Sequence, residues 1–96
     1  MVNQIFRSFI VDVPVMGTHL SKSLPEGSQL LSVVNSSNNI CISYLSAVTE
    51  ATETEKYSFL FCKDGDNFPY AESYTFLGTV NLHNDKFVYH VFYKKN

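Results

Sequence analysis

The segment from Phe76 to Tyr93 constrains the fold more than any other part of the chain. Phe76-Leu-Gly-Thr-Val-Asn-Leu82 and Phe87-Val-Tyr-His-Val-Phe-Tyr93 are rich in aromatic and β-branched residues, which suit a pleated, half-buried surface. Between them His83-Asn84-Asp85-Lys86 supplies turn residues, so the segment reads as a β-hairpin. Both strands carry apolar side chains on both faces. A lone hairpin of this kind is not stable in water. It is expected at the centre of a sheet covered on both sides, or within an oligomer.

The rest of the chain reads the same way. Strands are predicted over 4–13, 19–24, 29–35, 40–48 and 56–63, before those at 74–82 and 87–93. In the first, Ile5, Phe9, Val11 and Val13 share one parity, and Phe6 and Ile10 the other. Pro14 and Gly17 close it. Leu24-Pro25-Glu26-Gly27 fits a type I turn begun at Leu24. Ser36-Ser37-Asn38-Asn39 fits a turn because these side chains bond their own backbone and tolerate left-handed dihedrals. Thr49–Glu55 reads as a loop or one helical turn, and Tyr70–Ser73 as a short helical turn. The expectation is an all-β fold of about seven mostly antiparallel strands, in a sandwich or a small barrel. The whole chain, 1–96, forms a single domain.

Composition narrows the function classes. Hydrophobic residues make up 45% and charged residues 17%, which describes a globular chain with little polar covering. Self-association or a partner surface is therefore expected. The net charge is −2, and the Lys and Arg residues are scattered without a basic stripe. Double-stranded nucleic acid is not an expected partner, and the negative charge is too small for a DNA mimic. Met1–Arg7 does not read as a secretory leader. No run approaches the ~20 apolar residues of a membrane span. Cytosol is thus the expected compartment, with Cys41 and Cys62 reduced and buried; a single disulfide between them is the alternative. His19, His83 and His90 lie far apart, so no metal site and no cofactor are expected.

Three segments in order resemble a family of small phage-encoded proteins of unassigned function. They are Leu24-Pro-Glu-Gly-Ser-Gln-Leu-Leu-Ser-Val33, Tyr74-Thr-Phe-Leu-Gly-Thr-Val80 and Phe87-Val-Tyr-His-Val-Phe92. The resemblance spans essentially the whole chain and implies a phage origin and an all-β fold. It supplies no catalytic residues. Where that family often has a Gly-Thr-Gly-His-like loop, this chain has Cys62-Lys63-Asp64-Gly65-Asp66. Where it often has Trp, Tyr44 and Tyr89 lie nearest.

Few residues suggest chemistry. His90 is read as a core or interface histidine, because a catalytic one needs a nucleophile or an orienting carboxylate. Asp12 and Asp85 are candidates for that carboxylate. Asp64-Gly65-Asp66-Asn67 reads as a turn, since it lacks the later bidentate Glu of a calcium loop. Glu50, Glu53 and Glu55 share one exposed segment without apolar neighbours. Lys63 beside Cys62 offers a way to lower a thiol pKa, against the commoner buried structural cysteine. No phosphate loop or nucleophile motif is present, and no enzyme activity is expected.

Aromatic residues are the better candidates. Phe59, Phe61, Phe68, Tyr70, Tyr74, Phe76, Tyr89 and Tyr93 are more than a small core readily absorbs. Most are expected to fill the core; any left exposed would stack on a nucleobase or anchor a protein interface. Tyr89, Tyr93, His90, Tyr70, Phe68, Arg7 and Lys63 are the binding candidates, with Arg7, Lys63 and Lys56 available to phosphates. The expected function is that of a non-catalytic phage protein, a homo-oligomer in the host cytoplasm. It would antagonise antiviral defence by sequestering a nucleotide immune signal. The alternatives are a protein–protein inhibitor of a host or defence enzyme, or a phage structural or accessory protein. A deep polar-aromatic pocket favours the ligand; a flat apolar or acidic patch favours a protein partner.

Overall fold

A computed structural model of the chain describes residues 3–12, 19–47, 53–67 and 73–96. Among the described residues seven strands follow one another: β1 (Gln4–Val11), β2 (His19–Pro25), β3 (Gln29–Ser36), β4 (Asn39–Ala47), β5 (Thr54–Lys63), β6 (Thr75–Leu82) and β7 (Phe87–Lys95). They form two antiparallel sheets, ordered β1-β4-β3 and β2-β5-β7-β6. The fold is all-β, and the two sheets pack as a sandwich. Thr54 and Glu55, at the end of the ambiguous polar segment, belong to β5. Residues 49–52, and the helical turn expected from Tyr70, lie outside the described residues apart from Ser73, which is in a turn.

Period-two alternation builds the core. Ile40 and Ile42 of β4 share one core cluster with Phe59 and Phe61 of β5, and all four are fully buried. Phe9 of β1 reaches across the sandwich to Phe59, edge to face at 5.6 Å. Burying each such side chain is worth about 1.5–3 kcal/mol. At the opposite side of the sandwich β3 lies against β6. A Cβ on Gly78 would stand 2.8 Å from Val33 Cγ1, so glycine is what lets these strands approach. The register of β6 on β7 shifts at Phe76/Gly78, beside this contact.

The turns show local chemistry at work. Ser37 and Asn38 have φ of 51° and 65°, the pair of left-handed residues required by a two-residue type I′ hairpin. The β2–β3 turn differs from its expected form. Ser28 N–H donates to Pro25 O at 3.1 Å, so the turn begins one residue later than expected. That puts Gly27, with φ of 82°, in the third place. A positive φ there belongs to a type II turn, not type I. Pro25 itself ends β2, an edge strand where a missing N–H costs no ladder bond.

The terminal hairpin also departs from expectation. β7 is interior, but β6 is an edge strand. Tyr89 and Val91 of β7 are buried, while Val88, His90, Phe92 and Lys94 on its other face are half-buried. Among the described residues no further strand layer covers that face. The reason lies in the alternation, which sets His90 and Lys94 among the apolar residues and keeps one side partly polar.

Two asparagine contacts join the sheets at one end, and a third braces the β3–β4 turn that makes them. Asn35 Nδ2 donates to Asn81 O at 2.8 Å, Asn38 N–H to Asn35 Oδ1 at 2.9 Å, and His83 N–H to Asn38 Oδ1 at 3.0 Å. At the other end Glu55 accepts from Gly27 N–H and pairs with Lys95 Nζ, both at 2.9 Å. The Gly27 bond, and next the Lys95 ammonium, hold its carboxyl below the ordinary value of 4.5.

Two outcomes follow from this packing. Gly78→Ala is expected to lose about 1–3 kcal/mol in urea unfolding, because the methyl group strikes a core side chain. A neutral result would mean that the β3–β6 contact is slack. A carboxylate with a lowered folded-state pKa stabilises the fold above its unfolded value of 4.5. That contribution is lost as pH falls through the lowered folded-state value. Melting temperatures of Glu55→Gln should therefore fall less steeply than wild type as the buffer is taken below pH 4.5; parallel curves would refute the coupling.

Candidate functional site

The end of β5, the turn 83–86 and the start of β7 surround an open cleft of about 360 Å3. Its walls are Lys63, Asp64, Asp85, Lys86, Phe87 and Val88. Ladder register makes this grouping. Lys63 stands opposite Tyr89, and Asp64 N–H donates to Val88 O at 2.9 Å, prolonging the β5–β7 pairing by one bond. The chain then leaves the sheet by a turn in which Asp66 N–H donates to Lys63 O at 3.0 Å.

The other wall is a strained turn. His83, Asn84 and Asp85 all have positive φ, at 53°, 55° and 67°. Asn and Asp tolerate this region; for His it is less common. Such conformations persist only where the surroundings over-determine them, and they concentrate at ligand clamps and switch regions. Here the bond to Asn38 holds the His83 backbone. The His83 ring meets Phe87 edge-on at 5.6 Å, and Lys63 Nζ lies 5.5 Å from the centre of the Phe87 ring. Phe87 is thus braced, yet 40% exposed.

A hydrogen-bond chain runs beside the cleft, joining β6, β7 and the turn after β5. His90 Nε2 lies 3.0 Å from Asp64 Oδ1, and His90 Nδ1 lies 2.9 Å from Thr79 Oγ1. An ionised carboxylate only accepts, so Nε2 carries a proton and donates to it; Nδ1 of the neutral ring then accepts from the Thr79 hydroxyl. Hydroxyl, imidazole and carboxylate in this order resemble a nucleophilic relay. However, the Asp64 side chain is 74% exposed and the His90 side chain 34%. Solvent screens such a pair. The chain therefore aims the imidazole and secures the loop after β5.

The residues singled out from the sequence divide accordingly. Lys63 and His90 come together here, joined through Asp64. Tyr89 is only 7% exposed and belongs to the core. Tyr93 is half-buried against that core, its ring 6.4 Å from Tyr57. Arg7 lies on the other sheet, where its Nε donates to the buried Ser46 Oγ at 3.0 Å. Phe68 and Tyr70 lie outside the described residues. Lys56 is exposed near the opposite end of β5. The carboxylate on His90 is Asp64, rather than Asp12 or Asp85. Phe87 and Lys86 were not among the candidates, although their place at the close of a turn was the available signal. Lys63 does not activate its neighbour: burial, and then Asp66, push the Cys62 thiol up. Both cysteines are free. Among the described residues there is no group of three or more potential metal ligands, and no helix is long and apolar enough to cross a membrane.

Truncation separates core from cleft. Tyr89→Ala should cost about 3–5 kcal/mol of stability, most of the margin of a small domain. Phe87→Ala should cost less than about 1 kcal/mol. Denaturant unfolding of the two variants would read the difference, and equal losses would contradict the placement of Tyr89.

A search of curated proteins and a search of solved structures find no match to the chain. The family model for a domain of unknown function, DUF7352, matches residues 1–96, and the chain belongs to that family.

Proposed function

We propose that this protein is a non-catalytic binding protein that holds a small anionic ligand with a planar ring, of the nucleotide class, in the cleft at Lys63, Lys86 and Phe87. One observation carries the reading: two lysines and an exposed aromatic ring line one cleft, with Asp64 and Asp85 beside them. Lysine meets a phosphate through charge-assisted hydrogen bonds, and a phenyl face accepts a base by stacking. The cleft volume of about 360 Å3 falls within the range usual for small-molecule sites. Asp64 is engaged by His90, which reduces its opposition to an anion. The exposed relay argues for positioning over turnover, and so for a binder.

The biological setting proposed is a phage-infected host cytoplasm, supported by the three segments that resemble small phage proteins. There the ligand would be a nucleotide immune signal, and its capture would antagonise defence. The second reading, inhibition of a host or defence enzyme by protein contact, draws on the exposed apolar face of the β1-β4-β3 sheet.

A thermal-shift titration against cyclic nucleotides and ADP-ribose-type compounds tests the first reading. Ligand at about 100 times its Kd should add about 2.7 kcal/mol of stability. The shift should vanish in Lys63→Ala/Lys86→Ala while the melting temperature without ligand stays near wild type. No shift across the panel would overturn the ligand reading and leave the protein partner.

A further inference from the structure

We infer that the outer face of the β1-β4-β3 sheet is a homodimer interface, and that its occupant is a second copy of this chain. The face is separate from the cleft, so the inference does not rest on the ligand reading. Its side chains follow from register. Phe6 stands beside Leu45; Ser8, Ser43 and Ser32 form the next row; Ile10, Cys41 and Val34 form the third. Phe6 is 79% exposed, Ile10 60% and Val34 50%, so exposed apolar side chains flank the serine row on both sides.

The charge pattern selects the partner. Within these strands no outward-facing position carries Lys, Arg, Asp or Glu. The outer face of the other sheet, by contrast, bears Lys56 and Lys94. Charged groups steer encounter and reject wrong partners, and like charges set face to face cost several kcal/mol. A surface without them has no electrostatic code for a foreign partner, but it meets its own image without repulsion. Symmetry supplies the rest. A two-fold axis lying along the serine row sets Phe6 against the second copy's Ile10, and Leu45 against its Cys41. Each contact occurs twice, as an isologous interface requires. The serine rows then meet each other, and a hydroxyl both donates and accepts.

Size sets the strength. Strand spacing and rise give a face of roughly 14 by 26 Å, or about 370 Å2 in plan for each copy. That is less than the ~800 Å2 per partner of a standard stable interface. The dimer should therefore be weak and concentration-dependent.

Sedimentation equilibrium of the full chain over a concentration series tests this. Wild type should pass from monomer to dimer as concentration rises. Phe6→Glu alone and Ile10→Lys alone should stay monomeric, with unfolding curves like wild type. Because the proposed axis pairs these two positions, mixing the variants should restore a dimer holding one copy of each. Phe76→Glu, on the other sheet, should dimerise as wild type does. A wild-type monomer at every concentration would overturn the inference and assign the face to a different protein. Dimerisation that survives Phe6→Glu would overturn it too, by placing the contact elsewhere. Failure of the mixture to associate would overturn the two-fold arrangement.

Discussion

The close approach of β3 and β6 is the constraint from which much of the structure follows. At one side of the sandwich the space between sheets is filled by aromatic rings, Phe9 against Phe59. At the other it is closed by the absence of a side chain, Gly78 under Val33. Only with β6 drawn in at that point can Asn35 reach Asn81 O and Asn38 reach His83 N–H. Those bonds steady the left-handed run from His83 to Asp85, which presents Lys86 and Phe87 to the cleft. A half-buried glycine set against a core valine thus bears on the geometry of a site some residues away along its strand.

Most of the fold was legible in the sequence because its signals are local. Alternation located the seven strands to within a residue or two at most described ends, and Ser37-Asn38 marked a hairpin that two positive φ angles require. Less was legible where the cause is non-local. Nothing near Gly27 announces that the turn begins at Pro25, because that choice comes with the pairing of Pro25 to Thr54 across the edge. The pairing of β5 with β7 likewise decides that His90 meets Asp64. Asp12 and Asp85 were equally reasonable by composition. The burial of Tyr89 was open for a related reason: in a strand with apolar residues of both parities, composition does not say which parity faces inward. Phe6 and Ile10 were assigned correctly to one face of β1, but which face meets water depends on β4.

The free edges bear on how such a protein avoids indiscriminate association. Four edge strands bound the two sheets, and an open edge invites pairing with another chain. Two of these edges carry evident obstacles. Pro25 removes a donor from the end of β2, and Asn35 occupies the carbonyl of Asn81 on β6. β3 is bulged at Leu30/Ser32, which interrupts the ladder it shares with β4 and bends the strand. β1 retains a regular eight-residue register, and its exposed residues Phe6 and Ile10 face outward from the sheet rather than along its edge. Association by strand addition is thereby discouraged at β2, β6 and β3, whereas the edge of β1 stays open to it. A chain with only 17% charged residues can place them unevenly. Leaving one sheet face bare while Lys56 and Lys94 mark the other makes that face the surface on which hydrophobic burial has the least polar desolvation to overcome.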